Sequence, residues 1–160
     1  MPIEVLGVEH IDLTVNDVTR SRAFYDKVLG ELGFRKFEDE NYLHWSNAQM
    51  TIAIRAASDA NRNAEFDRYR VGFHHLALRA RSRADVDQFH RFLTREKITI
   101  LDTPAEYPQY GREYYAVFFT DLDGMKLELV HNPWGYWKKA QTEGRDDRPR
   151  YIPANLRVSD

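Results

Sequence analysis

The chain has no cysteine, which excludes both a disulfide framework and a metal site built from thiolates. It also has no hydrophobic run long enough to cross a membrane. Its charges nearly cancel, because 23 basic and 25 acidic residues give a formal net charge of −2. No broad basic field is therefore available to attract nucleic acid or anionic lipid. These absences argue against nucleic-acid and membrane partners and favour a small molecule.

The composition is that of an ordinary globular protein, with 42% hydrophobic and 30% charged residues. A chain of 160 residues is long enough to bury a stable core, and we expect residues 1–160 to form a single domain. The first residues, Met1-Pro2-Ile3-Glu4, lack the basic and apolar regions of a secretory signal. This predicts a cytoplasmic location.

An internal repeat organises the chain. Displacing the sequence by 65 residues lays residues 8–13 on 73–78. Displacing it by 75 residues lays residues 50–54 on 125–129, and the ten extra residues fall in a predicted loop at 102–111. The same structural unit is therefore predicted to occur twice.

Each copy follows the pattern βαβββ. A short alternating strand is followed by a helix with apolar residues three to four positions apart, with Asp17 and Ser82 at the cap positions. The remaining strand candidates lie at 33–38, 41–46, 97–101 and 112–120, with the last strand of each copy at 50–54 and 125–129. The sequence thus predicts an α+β fold of two tandem modules. Their predicted order is module 1 at about 5–57, a polar linker at about 58–71, module 2 at about 72–132 and a C-terminal extension at 133–160.

Three potential metal ligands occupy repeat-related positions. Side chains alternate along a strand, so His10, His75 and Glu128 each fall on the polar face of its strand. The repeat makes His10 equivalent to His75, and Ala53 equivalent to Glu128, so one of four symmetric positions lacks a ligand. A lone histidine or glutamate is more often structural, but three on one predicted face favour a metal site. Two histidines and a carboxylate leave coordination positions open, as a catalytic Fe, Zn, Ni or Mn ion requires.

Further candidates lie near the predicted cavity. His44 is the candidate acid or base, because it lies near Tyr42 at the cavity edge. Arg55 and Arg79 share the cavity-facing parity and are candidates to pair with a substrate carboxylate, the alternative being solvated strand residues. Tyr115 is the candidate substrate contact from a group of tyrosines around the long loop, the alternative for that group being aromatic packing. We expect His74 to point toward the helix layer instead of the cavity.

Four segments carry a family resemblance: HIDLTVND at 10–17, FYDKVLG at 24–30, GFHHLAL at 72–78 and DLDGMKLEL at 121–129. They resemble the vicinal oxygen chelate superfamily, which includes glyoxalase I, extradiol dioxygenases, fosfomycin resistance proteins and bleomycin-binding proteins. The resemblance covers roughly residues 5–132. It implies the glyoxalase-like fold, a curved mixed sheet around a metal-binding cavity, and a homodimer. It also implies one divalent cation per chain that binds two neighbouring oxygens of the substrate.

The chain departs from the residue pattern of each subfamily, and these departures narrow the range of possible activities. Glyoxalase I has a ligand where this chain has Ala53, and extradiol dioxygenases have a histidine and a tyrosine where Asn61 and Phe118 stand nearest. Fosfomycin resistance transferases share the three-ligand pattern, but residues 102–117 offer no lysine for a phosphonate. Bleomycin-binding members usually lack the metal-ligating residues. The predicted function is a lyase or isomerase of the lactoylglutathione lyase type. The alternatives are an Fe(II)-dependent dioxygenase and a protein that binds a small aromatic or antibiotic ligand.

Overall fold

The computed structural model describes residues 3, 5, 7–40 and 42–134. The predicted C-terminal extension lies outside the described residues from position 135 onward. The described elements, in chain order, are β1 (His10–Val15), α1 (Val18–Glu31), β2 (Arg35–Glu38), β3 (Leu43–Ser46), β4 (Thr51–Ala56), a 3-10 turn (Asp59–Asn61), β5 (Leu76–Arg79), α2 (Arg83–Arg95), β6 (Ile100–Glu106), β7 (Tyr115–Thr120) and β8 (Lys126–His131).

The strands form two four-stranded mixed sheets, one in each half of the chain. The first sheet has the order β1-β4-β3-β2 and the second has the order β5-β8-β7-β6. The pairs β1 with β4 and β5 with β8 are parallel, and the other neighbours are antiparallel. The α+β class and the two βαβββ modules are confirmed. The expected curved sheet is present as two separate sheets, in which β1 and β5 are both edge strands.

Both helices begin at the predicted caps. The Asp17 carboxylate accepts a hydrogen bond from the Arg20 amide at 2.9 Å, and Ser82 forms a reciprocal capping box with Asp85. These bonds satisfy amides that have no partner within the first helical turn. None of the helices in the described part of the chain is both long and apolar enough to cross a membrane.

One hydrophobic core joins the two modules. It packs the buried faces of both helices against the inward face of each sheet, and its members from the two halves include Val28, Trp45, Leu93 and Leu127. Polar groups reinforce the junction, since the Tyr25 hydroxyl of α1 donates to Asp121 at 2.8 Å. The opposite face of each sheet is turned away from the helices, and we call it the site face.

The third strand of module 2 differs from the prediction. A loop was expected at 102–111, but β6 runs through Ile100–Glu106, so a loop at 102–106 is wrong. The pairing of β6 with β7 shifts register between Ile100 and Asp102 and again between Asp102 and Ala105. Such bulges interrupt the two-residue alternation and accommodate Pro104, which is why the strand pattern is hidden in the sequence.

Candidate metal centre

Glu128 is a buried carboxylate in the middle of the second sheet. It lies on β8 between β5 and β7, and only 2% of the residue is exposed. Its two oxygens have different partners: the Tyr114 hydroxyl donates to Oε1 at 2.5 Å, and Oε2 lies 3.1 Å from His75 Nε2. A carboxylate this buried requires such partners, because desolvation without them is costly.

The His75 ring is held on its other side by a second histidine. His75 immediately precedes β5, and its Nδ1 lies 2.7 Å from Nδ1 of His74. One of these two nitrogens must carry the proton. When His75 Nδ1 is the donor, the lone pair of Nε2 faces Glu128, which is the tautomer that a metal ligand needs. His74 itself is exposed beside Tyr69, so the expectation that it points toward the helix layer is wrong.

The electrostatics of the pair favour a neutral histidine. Burial lowers the pKa of His75, and the positive charges of Lys126, His74 and Arg68 lower it further. Burial raises the pKa of Glu128, while the Tyr114 hydrogen bond and the charge of Lys126 oppose that rise. A neutral imidazole beside a carboxylate is a donor set that divalent cations accept.

His10 lies on the other sheet. It begins edge strand β1, its side chain is 56% exposed, and its Nδ1 contacts the Glu9 carboxylate, which raises the pKa of His10. Among the described residues, no group of three or more histidine, aspartate or glutamate side chains lies close enough to hold a metal ion. The chain thus pairs His75 with Glu128 and leaves His10 apart, and the three-ligand site stays a prediction.

A charged network accompanies His10 on the site face of the first sheet. The Asp12 carboxylate accepts hydrogen bonds from Arg55 Nε at 2.5 Å and from the Tyr42 hydroxyl at 3.0 Å. The Arg55 guanidinium also lies over the Tyr42 ring, 5.0 Å from its centroid. The hydrogen bond from Arg55 is the main reason that the pKa of Asp12 is lowered. Arg55 therefore lies on the site face with Asp12 and is already partly neutralised by that carboxylate.

His44 lies on the same face, two strands away from His10. Its ring stacks on Phe37 with 5.3 Å between centroids and approaches Tyr42 at 4.8 Å. Its cross-strand neighbour on β4 is Ala53. The His44 Nδ1 atom is buried without a hydrogen-bond partner among the described residues. The ring as a whole is only half-buried, so His44 stays a candidate base through the part of its ring that is accessible.

The structure does not bring Arg79 and Tyr115 to the His75–Glu128 pair. Tyr115 lies on the helix side of β7, where its hydroxyl donates to Asp87 of α2 at 2.7 Å. Arg79, at the last position of β5, is exposed in a cleft that Leu32 and Gln88 also line. The difference for Tyr115 follows from strand parity, because the neighbouring Ala116 and not Tyr115 shares the site face with Phe118.

The residue that sequence reasoning missed is Tyr114. It belongs by position to the tyrosines around the long loop, yet it is buried and its hydroxyl donates to the central carboxylate. It packs in an aromatic cluster with Tyr110, at 5.5 Å between centroids, and the cluster continues through Tyr107 to Phe118. A signal was available: a glutamate on a buried strand needs a donor, and tyrosine hydroxyls were the nearby candidates.

Comparison with known proteins decides the family. Residues 7–129 match the family model of the Glyoxalase/Bleomycin resistance protein/Dioxygenase superfamily. The chain belongs to this superfamily. The resemblance found from the sequence motifs is therefore confirmed.

Individual relatives extend the match over most of the chain. Bacillus subtilis YqjT, an uncharacterised protein, is 34% identical and covers 77% of this chain and 97% of its own length. The metallothiol transferase FosB of Staphylococcus haemolyticus is 25% identical over 86% of this chain and 94% of its own length. The glyoxylase/bleomycin resistance protein/dioxygenase domain from Frankia sp. EAN1pec shares the fold, with a TM-score of 0.67, 22% identity and coverage of 81% of this chain and 99% of that chain. Metal-dependent enzymes thus occur among the relatives of this chain.

Proposed function

We propose that the protein is a metal-dependent enzyme in which His75 and Glu128 of one chain and His10 of a second chain hold one divalent ion, Fe, Zn, Ni or Mn. The observation that carries the proposal is the His75–Glu128 pair, in which Nε2 and Oε2 lie 3.1 Å apart around a buried carboxylate. These two groups fit such an ion, because a neutral imidazole and a carboxylate are common ligands in catalytic sites that keep coordination positions open.

The uncovered sheet edges support the contribution of a second chain. His10 lies on edge strand β1, and His75 immediately precedes edge strand β5. Exposed apolar residues flank both edges, with Val8 57% exposed before β1 and Phe73 48% exposed before β5. Two-fold symmetry allows β1 of each copy to approach β5 of the other, which covers both edges at once. The proposed assembly is accordingly a homodimer with two composite sites.

In this assembly, several residues of the site face have proposed roles. When bound, the divalent ion supplies Lewis acidity to two neighbouring oxygens of a small substrate. Arg55 is positioned to face negative charge on the substrate through its terminal nitrogens, because its ion pair with Asp12 uses Nε. His44, half-buried on the same face, is the proposed base for the bound substrate. Glu128 and His75 stay in place because Tyr114 and His74 bond their other polar atoms.

For the reaction class, we place a lyase or isomerase of the glyoxalase type ahead of an Fe(II)-dependent dioxygenase. Phe118 faces Glu128 across β7 and β8, and the Lys126 ammonium lies 3.8 Å from the centroid of its ring. A phenyl ring at this place has no hydroxyl that would hydrogen-bond to dioxygen during a dioxygenase reaction. Thiol transfer to a small electrophile is the second candidate, and the similarity to the metallothiol transferase FosB favours it.

Mixing two inactive variants tests the composite site. His10→Ala and Glu128→Ala homodimers should each lack a complete ligand set. In the mixed dimer, one site combines the intact His10 of one chain with the intact His75 and Glu128 of the other. We expect metal content to recover to about one ion per mixed dimer, measured by elemental analysis after the exchange of subunits.

A matched pair separates this result from general stabilisation. His75→Ala and Glu128→Ala both damage the same half of the site, so their mixed dimer should stay free of metal. Recovery in this control, or the absence of recovery in the first mixture, would contradict the composite site. A chain that binds no divalent ion even as the unaltered protein would favour the binding-protein alternative.

A substrate panel then separates the reaction classes. The unaltered protein is reconstituted anaerobically with Fe(II), Ni(II) or Zn(II) and assayed with hemithioacetals, with catechols under oxygen, and with a thiol and an epoxide. Turnover of hemithioacetals supports the leading proposal. Oxygen uptake that requires both catechol and Fe(II) supports the dioxygenase, and consumption of the thiol with the epoxide supports the transferase.

A further inference from the structure

The two oxygens of Glu128 are not equivalent in this fold. Oε1 accepts the Tyr114 hydroxyl at 2.5 Å, whereas Oε2 faces His75 Nε2. The two oxygens of a free carboxylate can exchange places by rotation about the terminal bond, and a hydrogen bond to one of them stops that exchange. The asymmetry matters for any cation bound beside His75, because a carboxylate can bind through one oxygen or through both.

We propose that Tyr114 is a positioning residue that occupies Oε1 of Glu128 and thereby reserves Oε2 as the single carboxylate oxygen for the divalent ion. This inference rests on the proposed function. Binding through one oxygen keeps one more coordination position open for the substrate than binding through two. Tyr114 thus limits how many positions the protein itself fills.

The surroundings of Tyr114 fit this role. The residue is 5% exposed and packs against Tyr110 in the aromatic cluster, so its ring cannot turn away without disturbing neighbouring side chains. The hydrogen bond joins a neutral hydroxyl to a carboxylate in a buried place, where charge-assisted bonds are short and strong. No other aromatic hydroxyl among the described residues bonds to Glu128.

The test compares Tyr114→Phe with the unaltered dimer. Both are stripped of metal and titrated with Co²⁺ and Zn²⁺ against a coloured chelator, and the visible absorption spectrum of bound Co²⁺ is recorded. We expect the metal dissociation constant of the variant to rise about 10- to 100-fold, the range typical when a partner of a metal ligand is removed. We also expect the Co²⁺ absorption bands to change in position and intensity, because Oε1 becomes available to the ion.

Tyr110→Phe is the matched control. It removes a hydroxyl from the same aromatic cluster, but Tyr110 is 45% exposed and does not bond to Glu128. Its dissociation constant and Co²⁺ spectrum should match those of the unaltered protein. A purely structural effect of losing a cluster hydroxyl would instead appear in both variants.

The outcomes separate the two proposals. If the unaltered protein binds no divalent ion, the proposed function fails. If it binds the ion and Tyr114→Phe leaves both the dissociation constant and the spectrum unchanged, the positioning role is overturned. Infrared difference spectra of the unaltered protein, with and without metal, give an answer even if the variant does not fold. Widely split carboxylate bands indicate binding through one oxygen and support the role, whereas narrowly split bands indicate binding through two and overturn it.

Discussion

The two modules share one fold but present different site faces. In the first sheet, the row across the strands is Asp12, Ala53 and His44, and its charged member is paired at the surface with Arg55. In the second sheet, the equivalent row is Ala77, Glu128 and Phe118, and its charged member is buried. The acidic residue of the row therefore lies on the edge strand in module 1 and on a central strand in module 2.

This difference shows how a repeated scaffold can build an asymmetric site. A central strand can hold a carboxylate only where a donor reaches it, and in module 2 the Tyr114 hydroxyl does so. In module 1 the corresponding central position is Ala53, which is fully buried. Each module then offers one histidine near its edge strand, but only module 2 offers a carboxylate. Four protein ligands would fill more of the coordination shell, and three leave room for a substrate.

Removal of the buried carboxylate should have the largest effect on the difference between the two modules. Glu128→Gln should weaken divalent metal binding by more than about 100-fold, since losing a ligand costs more than losing the partner of a ligand. The fold should persist, because the amide oxygen still accepts the Tyr114 hydroxyl. Elemental analysis and chelator titration measure the effect. Glu106→Gln, which alters an exposed carboxylate paired with Arg83, is the control. Equal metal content in Glu128→Gln and the unaltered protein would contradict the assignment.

The converse change places a carboxylate on the central strand of module 1. Ala53→Glu should lower the free energy of unfolding of the metal-free protein by about 3 kcal/mol or more, because the new charge is buried and lies near Asp12. Urea titration followed by circular dichroism measures it. Ala53→Gln has the same size without the charge, and it should cost less. If glutamate costs no more than glutamine, crowding and not charge distinguishes the two central positions.

The junction between the modules gives a smaller effect. Tyr25→Phe removes the hydroxyl that donates to the buried Asp121 at 2.8 Å. We expect a loss of about 1–3 kcal/mol in the free energy of unfolding, the usual cost of leaving a buried acceptor short of a partner. The backbone amides of Asp123 and Met125 still bond the same carboxylate, which keeps the loss moderate. Tyr69→Phe, at an exposed tyrosine, should change stability little in the same urea titration.

The smallest effect is a change in pH dependence at the same junction. Burial raises the pKa of Asp121 above the ordinary value of 3.8, although the Tyr25 hydrogen bond opposes the rise. The folded state then holds this proton to a higher pH than the unfolded chain does. The stability contributed by Asp121 therefore falls as pH rises from 3.8 through the raised pKa.

Asp121→Asn should remove that fall. The difference in unfolding free energy between the variant and the unaltered protein should shift in favour of the variant as the pH increases across this window. Asp59→Asn removes a negative charge from an exposed carboxylate paired with Arg62 and serves as the control. Parallel stability curves for Asp121→Asn and the unaltered protein would show that the junction carboxylate does not titrate as described.

Much of the fold could be predicted because the repeat and the strand alternation are local patterns. On β1, Leu13 and Val15 are buried while Asp12 and Thr14 are exposed, as the alternation predicts. On β6 the bulges around Asp102 break the alternation, so local pattern alone could not extend the strand.

The site was predictable only in part, because its members meet through tertiary structure. The pairing of His75 with Glu128 agrees with their neighbouring strand positions. The Tyr114 hydrogen bond joins the residue just before β7 to a residue of β8, and no short-range pattern specifies it. The repeat makes His10 equivalent to His75, but it does not say whether the two modules meet edge to edge within a chain or between chains, since both arrangements obey the same pseudo-symmetry.

The shared core has a consequence for the linker. Residues 69–71 are exposed, while the junction is built from Tyr25, Asp121 and the apolar residues of both halves. The covalent connection then acts mainly by keeping the two halves at a high effective concentration. Two fragments made by opening the chain in this segment should reassemble by fragment complementation. Cleavage by a protease in this segment should leave the folded structure intact until the protein is denatured.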